Sequence, residues 1–251
     1  MVSYIQLTFW GMVFETFVIV ITAYLLILIF RRYLQLKNQL TLYLFLIFLN
    51  FTLAIVFSWL AKVLYLYSDI AYLSNLNAPD PMTIESWILL RISSFRISFI
   101  FVSTAILISY FLKVKVFENE FNKVHKLLVV GFYFFTIVYA FIVYEKATVL
   151  FDVFAFVLVC VLMCAIYIPF CYRSIETYTT TEDPFIQKKL ISLAIMSVSF
   201  ILVFVWLTLD RLLILFGSVG YTLFYFLAWT TAIVSVLSAY IGYIRPKSQQ
   251  D

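Results

Sequence analysis

Charge is scarce in this chain of 251 residues: only 12% are Asp, Glu, Lys or Arg, and no polar stretch is long enough to make a soluble domain. Histidine is nearly missing, with His125 alone, expected in a loop between Lys123 and Lys126. A single histidine excludes bis-histidine haem, histidine-rich zinc hydrolase sites and a Ser-His-Asp triad. The three cysteines, Cys160, Cys164 and Cys171, fall on one expected helix within about 40° of each other around its axis. They make a poor metal set and form no extracellular pair, so they read as packing thiols. No nucleophile with a nearby base can be recognised, and the expectation is a protein that is not an enzyme, with no cofactor and no metal. The last apolar segment contains no lysine, so a retinal Schiff base has no attachment point there. Interior helix breakers are few, Gly131 and Pro169, and no internal repeat is evident, which weighs against transporters built from matched broken helices.

What the chain has is apolar length. It is 65% hydrophobic, with a mean hydropathy of +1.06. Seven segments, 7–30, 39–66, 86–112, 127–144, 148–172, 190–216 and 221–244, each reach the roughly 17 to 25 residues that a spanning helix needs. The expected fold is therefore all-α, one integral membrane seven-helix bundle over 1–251, in contact with the lipid bilayer and with no nucleic-acid partner. The 28 Phe and 18 Tyr read as lipid-facing, packing and interfacial residues.

Orientation follows from the basic residues in alternating connections. Arg31, Arg32, Lys37, Lys113, Lys115, Lys123, Lys126, Arg173, Lys188, Lys189, Arg245 and Lys247 fall on one side, twelve against Lys146 alone on the other. The positive-inside rule then puts the N-terminus outside and the C-terminus inside, in a multi-pass protein of the cell membrane. The start of the chain lacks the positive end and cleavage site of a signal peptide, so the first apolar run is expected to stay in the mature protein.

The segment 87–112 organises this reading, because it carries two arginines within one apolar run. On a continuous helix Arg91 shares an arc with Ser94, Ser98, Ala105 and Ser109, while Arg96 lies roughly 140° away, near Ser93 and Ser103. Neither can comfortably face lipid, so a central helix is expected. Glu15, Lys62, Asp152, Asp210 and Arg211 join them within apolar segments, nearly all in the outer half. Seven unpaired charges at about 2.5 to 3.5 kcal/mol each would cost on the order of 20 kcal/mol. The four cations and three anions must largely neutralise one another or line water. One reading makes them ion pairs that fix register, with Lys62 and Arg211 snorkelling to the outer interface. The other is an outward-open polar cavity for a small anionic ligand, with arginine suited to a carboxylate or phosphate.

Smaller signals set local structure. Asp183 and Pro184 read as the N-cap and first residue of the sixth span. Asn50-Phe51-Thr52 matches a glycosylation sequon but lies inside a span. The longest outer connection, 67–85, holds Asn75, Asn77, Pro79, Asp80 and Pro81, and is expected to cover the outer mouth. In the last span Ala228, Thr231, Ser235, Ser238, Ala239 and Gly242 form a small-residue face that would suit the serine face of the third.

Seven spans with the N-terminus outside, closed by Tyr240-Ile241-Gly242-Tyr243-Ile244-Arg245-Pro246, resemble the seven-helix sensor modules at the N-termini of some prokaryotic histidine kinases and their stand-alone archaeal relatives. The resemblance covers the whole length in topology and only this ending in residues. It implies a sensor. Such modules precede cytoplasmic signalling domains, whereas this chain is expected to end at its last span and to signal through a separate cytoplasmic or membrane protein partner. The expected function is a receptor-like protein sensing an extracellular or membrane-borne ligand at the outer cluster of Glu15, Lys62, Arg91, Arg96, Asp152, Asp210 and Arg211. The alternatives are a transporter or ion-conducting protein, and a structural subunit of a membrane complex.

Overall fold

The structure, a computed structural model, describes residues 4–74, 78–118, 120, 122–145 and 148–244. Asn75, Asn77, Lys146, Arg245, Pro246 and Lys247 lie outside the described residues. Helices follow from the long apolar runs and begin where polar side chains can hold free backbone N–H groups. α1 spans Tyr4–Leu36, and Asn38 caps α2, Gln39–Tyr67, by accepting from the Leu40 amide. A single turn, α3, Ala71–Ser74, precedes α4, Ile84–Ser93, which opens on a reciprocal capping box between Thr83 and Ser86.

α5, Arg96–Phe117, is followed by α6, Lys123–Ile142, whose first amides are held by Asn122. His125 thus sits in the first turn of a helix rather than in a loop, with its ring 5.3 Å from Tyr110. α7 runs Val149–Thr180 straight through Pro169, well past the expected end at 172. α8, Pro184–Leu215, starts as expected on Asp183, which accepts from the Phe185 amide at 2.8 Å, with Pro184 in its first turn. α9, Leu223–Ala239, continues into a wider π turn, Tyr240–Ile244. Seven of the helices are long and apolar enough to cross a membrane. Among the described residues the fold is all-helical, that of a multi-pass membrane protein whose spanning helices meet lipid.

The third segment differs from expectation. It is not one helix but two, α4 and α5, broken at Ser94 and Phe95. Ser93 and Ser94 both turn their hydroxyls onto the Leu90 carbonyl, at 2.9 and 2.8 Å, which competes with the helical ladder. Phe95 then takes a left-handed conformation, φ 63°. A phenylalanine there is strained by about 1–2 kcal/mol. The break invalidates the shared arc of Arg91 with Ser98 and Ser109, because the two arginines lie on different helices.

α5 packs on α2, α6 and α7, so the central position expected of the third span belongs to its second piece. α8 packs most extensively against α7 and α9. The small-residue face of α9 is used there and not against α5: Ser235 donates to the Met196 carbonyl at 3.3 Å and Ser238 to the Ser192 carbonyl at 2.9 Å. A Cβ at Gly242 would collide with the Ser192 side chain, so this glycine sets how closely the last turn approaches α8.

Candidate functional site

Six helices, α1, α2, α4, α5, α7 and α8, bring the seven sequence-identified charges to the end of the bundle that holds the N-terminus of α1, but they do not form one cluster. Glu15 on α1 and Lys62 on α2 are fully buried and paired at 3.0 Å, which corrects the expectation that Lys62 snorkels to the interface. The same Glu15 oxygen, Oε1, accepts from the Ser58 hydroxyl at 2.6 Å and the Tyr225 hydroxyl at 2.6 Å. Lys62 Nζ also donates to the Ser58 carbonyl at 3.1 Å and lies over the rings of Phe95, Tyr221 and Tyr225. Ser58 and Lys62 meet because residues four apart share a helix face. This network ties α1, α2 and α9 together, and removing either ion would leave the other uncompensated.

Arg96 opens α5, where a cation is disfavoured by the helix dipole, and Asp152 lies in the first turn of α7, where an anion is favoured. They pair at 2.7 Å. Arg91 has no carboxylate partner among the described residues. Its Nε donates to the Phe141 carbonyl at 2.8 Å, at the end of α6, and its Nη1 to the Trp87 carbonyl at 3.1 Å. The guanidinium also stacks 3.8 Å from the Trp87 ring centre. Arg91 therefore closes a helix end.

Asp210 and Arg211, adjacent on α8, have opposite surroundings. Asp210 is buried and its Oδ1 accepts from both the amide and the hydroxyl of Thr222, each at 2.8 Å. It caps α9 across the turn that contains Gly217 and Gly220, both at positive φ. Arg211 makes no ion pair or hydrogen bond with the described residues, and its Nε is out of reach of water. Its partners are rings: the guanidinium carbon lies 4.7 Å from the centre of Phe95 and 5.4 Å from that of Phe156.

A cavity of about 440 Å³ opens above these groups. Lys62, Asp152, Arg211, Tyr144, Tyr221 and the exposed Glu145 are among its walls. Beneath it a second hollow of about 70 Å³ is bounded almost wholly by carbon, from Phe51, Val102, Phe200, Val203 and Trp229 among others. Phe95, Phe156 and Arg211 border both, so they form the partition between a polar space and an apolar one. Tyr144, in the connection between α6 and α7, has its phenol pushed up to about 12 by burial and then by the Asp152 carboxylate, and stays a neutral donor at ordinary pH.

Sequence reasoning missed Ser58, Tyr225, Thr222 and Phe95. Ser58 had a local signal, its four-residue spacing from Lys62. Tyr225 is far from Glu15 in the chain, and the φ of Phe95 is written in no motif. Comparisons with family models, curated proteins and solved structures return no match.

Proposed function

We propose that the chain is a receptor-like membrane protein that binds a small anionic ligand in the 440 Å³ cavity and signals through a separate partner. The observation that carries this reading is Arg211. Of the four cations, Lys62 and Arg96 have carboxylate partners and Arg91 has carbonyls, whereas Arg211 faces the cavity with ring faces alone. An arginine held in a partly dry space without an acceptor favours a bound carboxylate or phosphate, which its planar fork can grip at two oxygens. The charge pattern of the connections supports placing this cavity on the outer side.

α8 supports a route for the signal. Its Arg211 meets the ligand, its Asp210 holds the start of α9, and its far end carries Lys188 and Lys189 within its first two turns. A ligand charge at Arg211 therefore acts on the α8 and α9 pair as one packed body.

The test uses protein in nanodiscs with inorganic phosphate and ethanoate as probes. Either anion should raise the melting temperature in a saturable way, and Arg211→Gln should abolish the rise while leaving an assembled protein. Spin labels near the far ends of α6 and α8 should then change their separation with the probe. Net uptake of the anion into proteoliposomes would overturn the receptor reading in favour of transport. Absence of any anion effect would make the charges scaffold.

A further inference from the structure

Resting on the reading of the cavity as an anion site, we infer that the ligand is amphipathic: an organic anion whose head meets Arg211 and whose short apolar end passes between Phe95 and Phe156 into the 70 Å³ hollow. The two spaces share the same three residues as floor and roof, so a molecule at Arg211 is already in contact with the ring partition. The lower hollow is walled by Phe48, Phe51, Phe200 and Trp229, and although the Ser98 hydroxyl and the Trp229 indole N–H border it, its open surface is almost wholly apolar, so an apolar group fits most of it better than solvent. Its volume sets the length. It is smaller than the roughly 150 Å³ that holds a benzene, and takes a few methylene groups rather than a long chain.

Phe95 adds an independent observation. Its left-handed backbone puts an aromatic ring where the ladder breaks, between Lys62 Nζ at 4.8 Å and the Arg211 guanidinium at 4.7 Å. Strain at a non-glycine residue persists only where its surroundings fix it, and such residues cluster at binding sites and switch regions. Here the ring separates two cations and borders both spaces, where an entering alkyl group would displace it and an anionic head would relieve the repulsion. Asp152 Oδ1 pairs with Arg96 and Glu145 stands exposed in the cavity wall, so Arg211 feels the Asp152 charge across the cavity but is bonded to neither carboxylate. A water-soluble acid and a single-chain anionic lipid share this chemistry, and chain length distinguishes them.

The experiment measures binding to the full chain in nanodiscs across straight-chain carboxylates from ethanoate to dodecanoate, with alkyl phosphates, alkanols and alkylammonium ions of matched length. Affinity should rise about fourfold per methylene, the change that corresponds to about 0.8 kcal/mol, and level off once the hollow is filled. Alkanols and alkylammonium ions should bind at least about tenfold more weakly, the size of a lost charge-assisted hydrogen bond. Val203→Phe, or Ala232→Leu if that variant does not assemble, should flatten the rise while ethanoate and inorganic phosphate still bind. Anion binding without chain-length dependence overturns this inference and leaves the anion site standing. A rise that continues unbroken to dodecanoate also overturns it, because the tail then lies in the bilayer and the source is a lipid. Failure of phosphate and of every carboxylate to bind overturns the anion site itself.

Discussion

The Arg96 guanidinium donates to Asp152 Oδ1 at 2.7 Å and so joins the first residue of α5 to the first turn of α7. Arg96 is almost wholly buried, while Asp152 keeps about a third of its side chain open to the cavity, at 29%. The pair therefore anchors the broken third segment to its neighbour and forms part of the cavity wall. Asp152→Asn should cost about 2–3 kcal/mol in reversible unfolding, because a buried guanidinium loses its counter-ion. A cycle with Arg96→Gln should show coupling of about 1 kcal/mol or more, and additive effects would remove the pair from the account.

The Glu15 network should behave as a unit. Lys62→Met or Glu15→Gln alone should lower stability by about 3–5 kcal/mol, since each leaves its partner buried and uncompensated. The double variant should recover much of that loss. The comparison is made by thermal unfolding in one detergent, and a double variant as unstable as the sum of the singles contradicts the pairing.

Asp210→Ala should cost about 0.5–2 kcal/mol, the range for a lost helix cap, and should loosen the start of α9. Hydrogen exchange at the amides of Thr222 to Tyr225 reads this locally. Unchanged protection there would show that the Thr222 bonds do not hold that helix end.

Phe95 reverses an ordinary rule. In a helix interior Ala is more stable than Gly by roughly 1 kcal/mol, but at φ 63° Gly is the residue without a Cβ penalty. Phe95→Gly should therefore be more stable than Phe95→Ala by about 1 kcal/mol. The opposite order would mean that the helix does not break at this residue.

Tyr144 gives an alkaline signature. Its phenol titrates near 12 in the folded protein against about 10 in an unfolded chain, so its contribution to stability is complete below about 10 and is lost as pH rises from there toward about 12. Tyr144→Phe should remove that part of the alkaline loss, measured as unfolding temperature across this window. A wild-type and a variant with parallel profiles would place the phenol in water.

Much of the architecture was legible because bilayer length and apolar composition constrain helices strongly: each of the seven segments overlaps one of the seven candidate spanning helices, and the cap at Asp183 and Pro184 was readable from local chemistry. The third segment was not. Its apolar run suits a continuous helix, and only the two serine hydroxyls on the Leu90 carbonyl reveal the competitor. For the charges, composition indicated which residues needed partners but not which partners they had. Lys62 reaches Glu15, Arg91 caps α6 and Asp210 caps α9, choices made by crossing positions of helices that no residue spacing encodes. Arg211 stood out only after the other six had been assigned.

The most direct measurement is a crystal structure of the protein with hexanoate brominated at its terminal carbon. The account predicts carboxylate oxygens within hydrogen-bonding distance of the Arg211 guanidinium and an anomalous bromine peak below the Phe95 and Phe156 rings, among Phe51, Phe200 and Trp229. A bromine peak only outside the bundle, with Arg211 still covered by the two rings and no density beside it, would contradict the account.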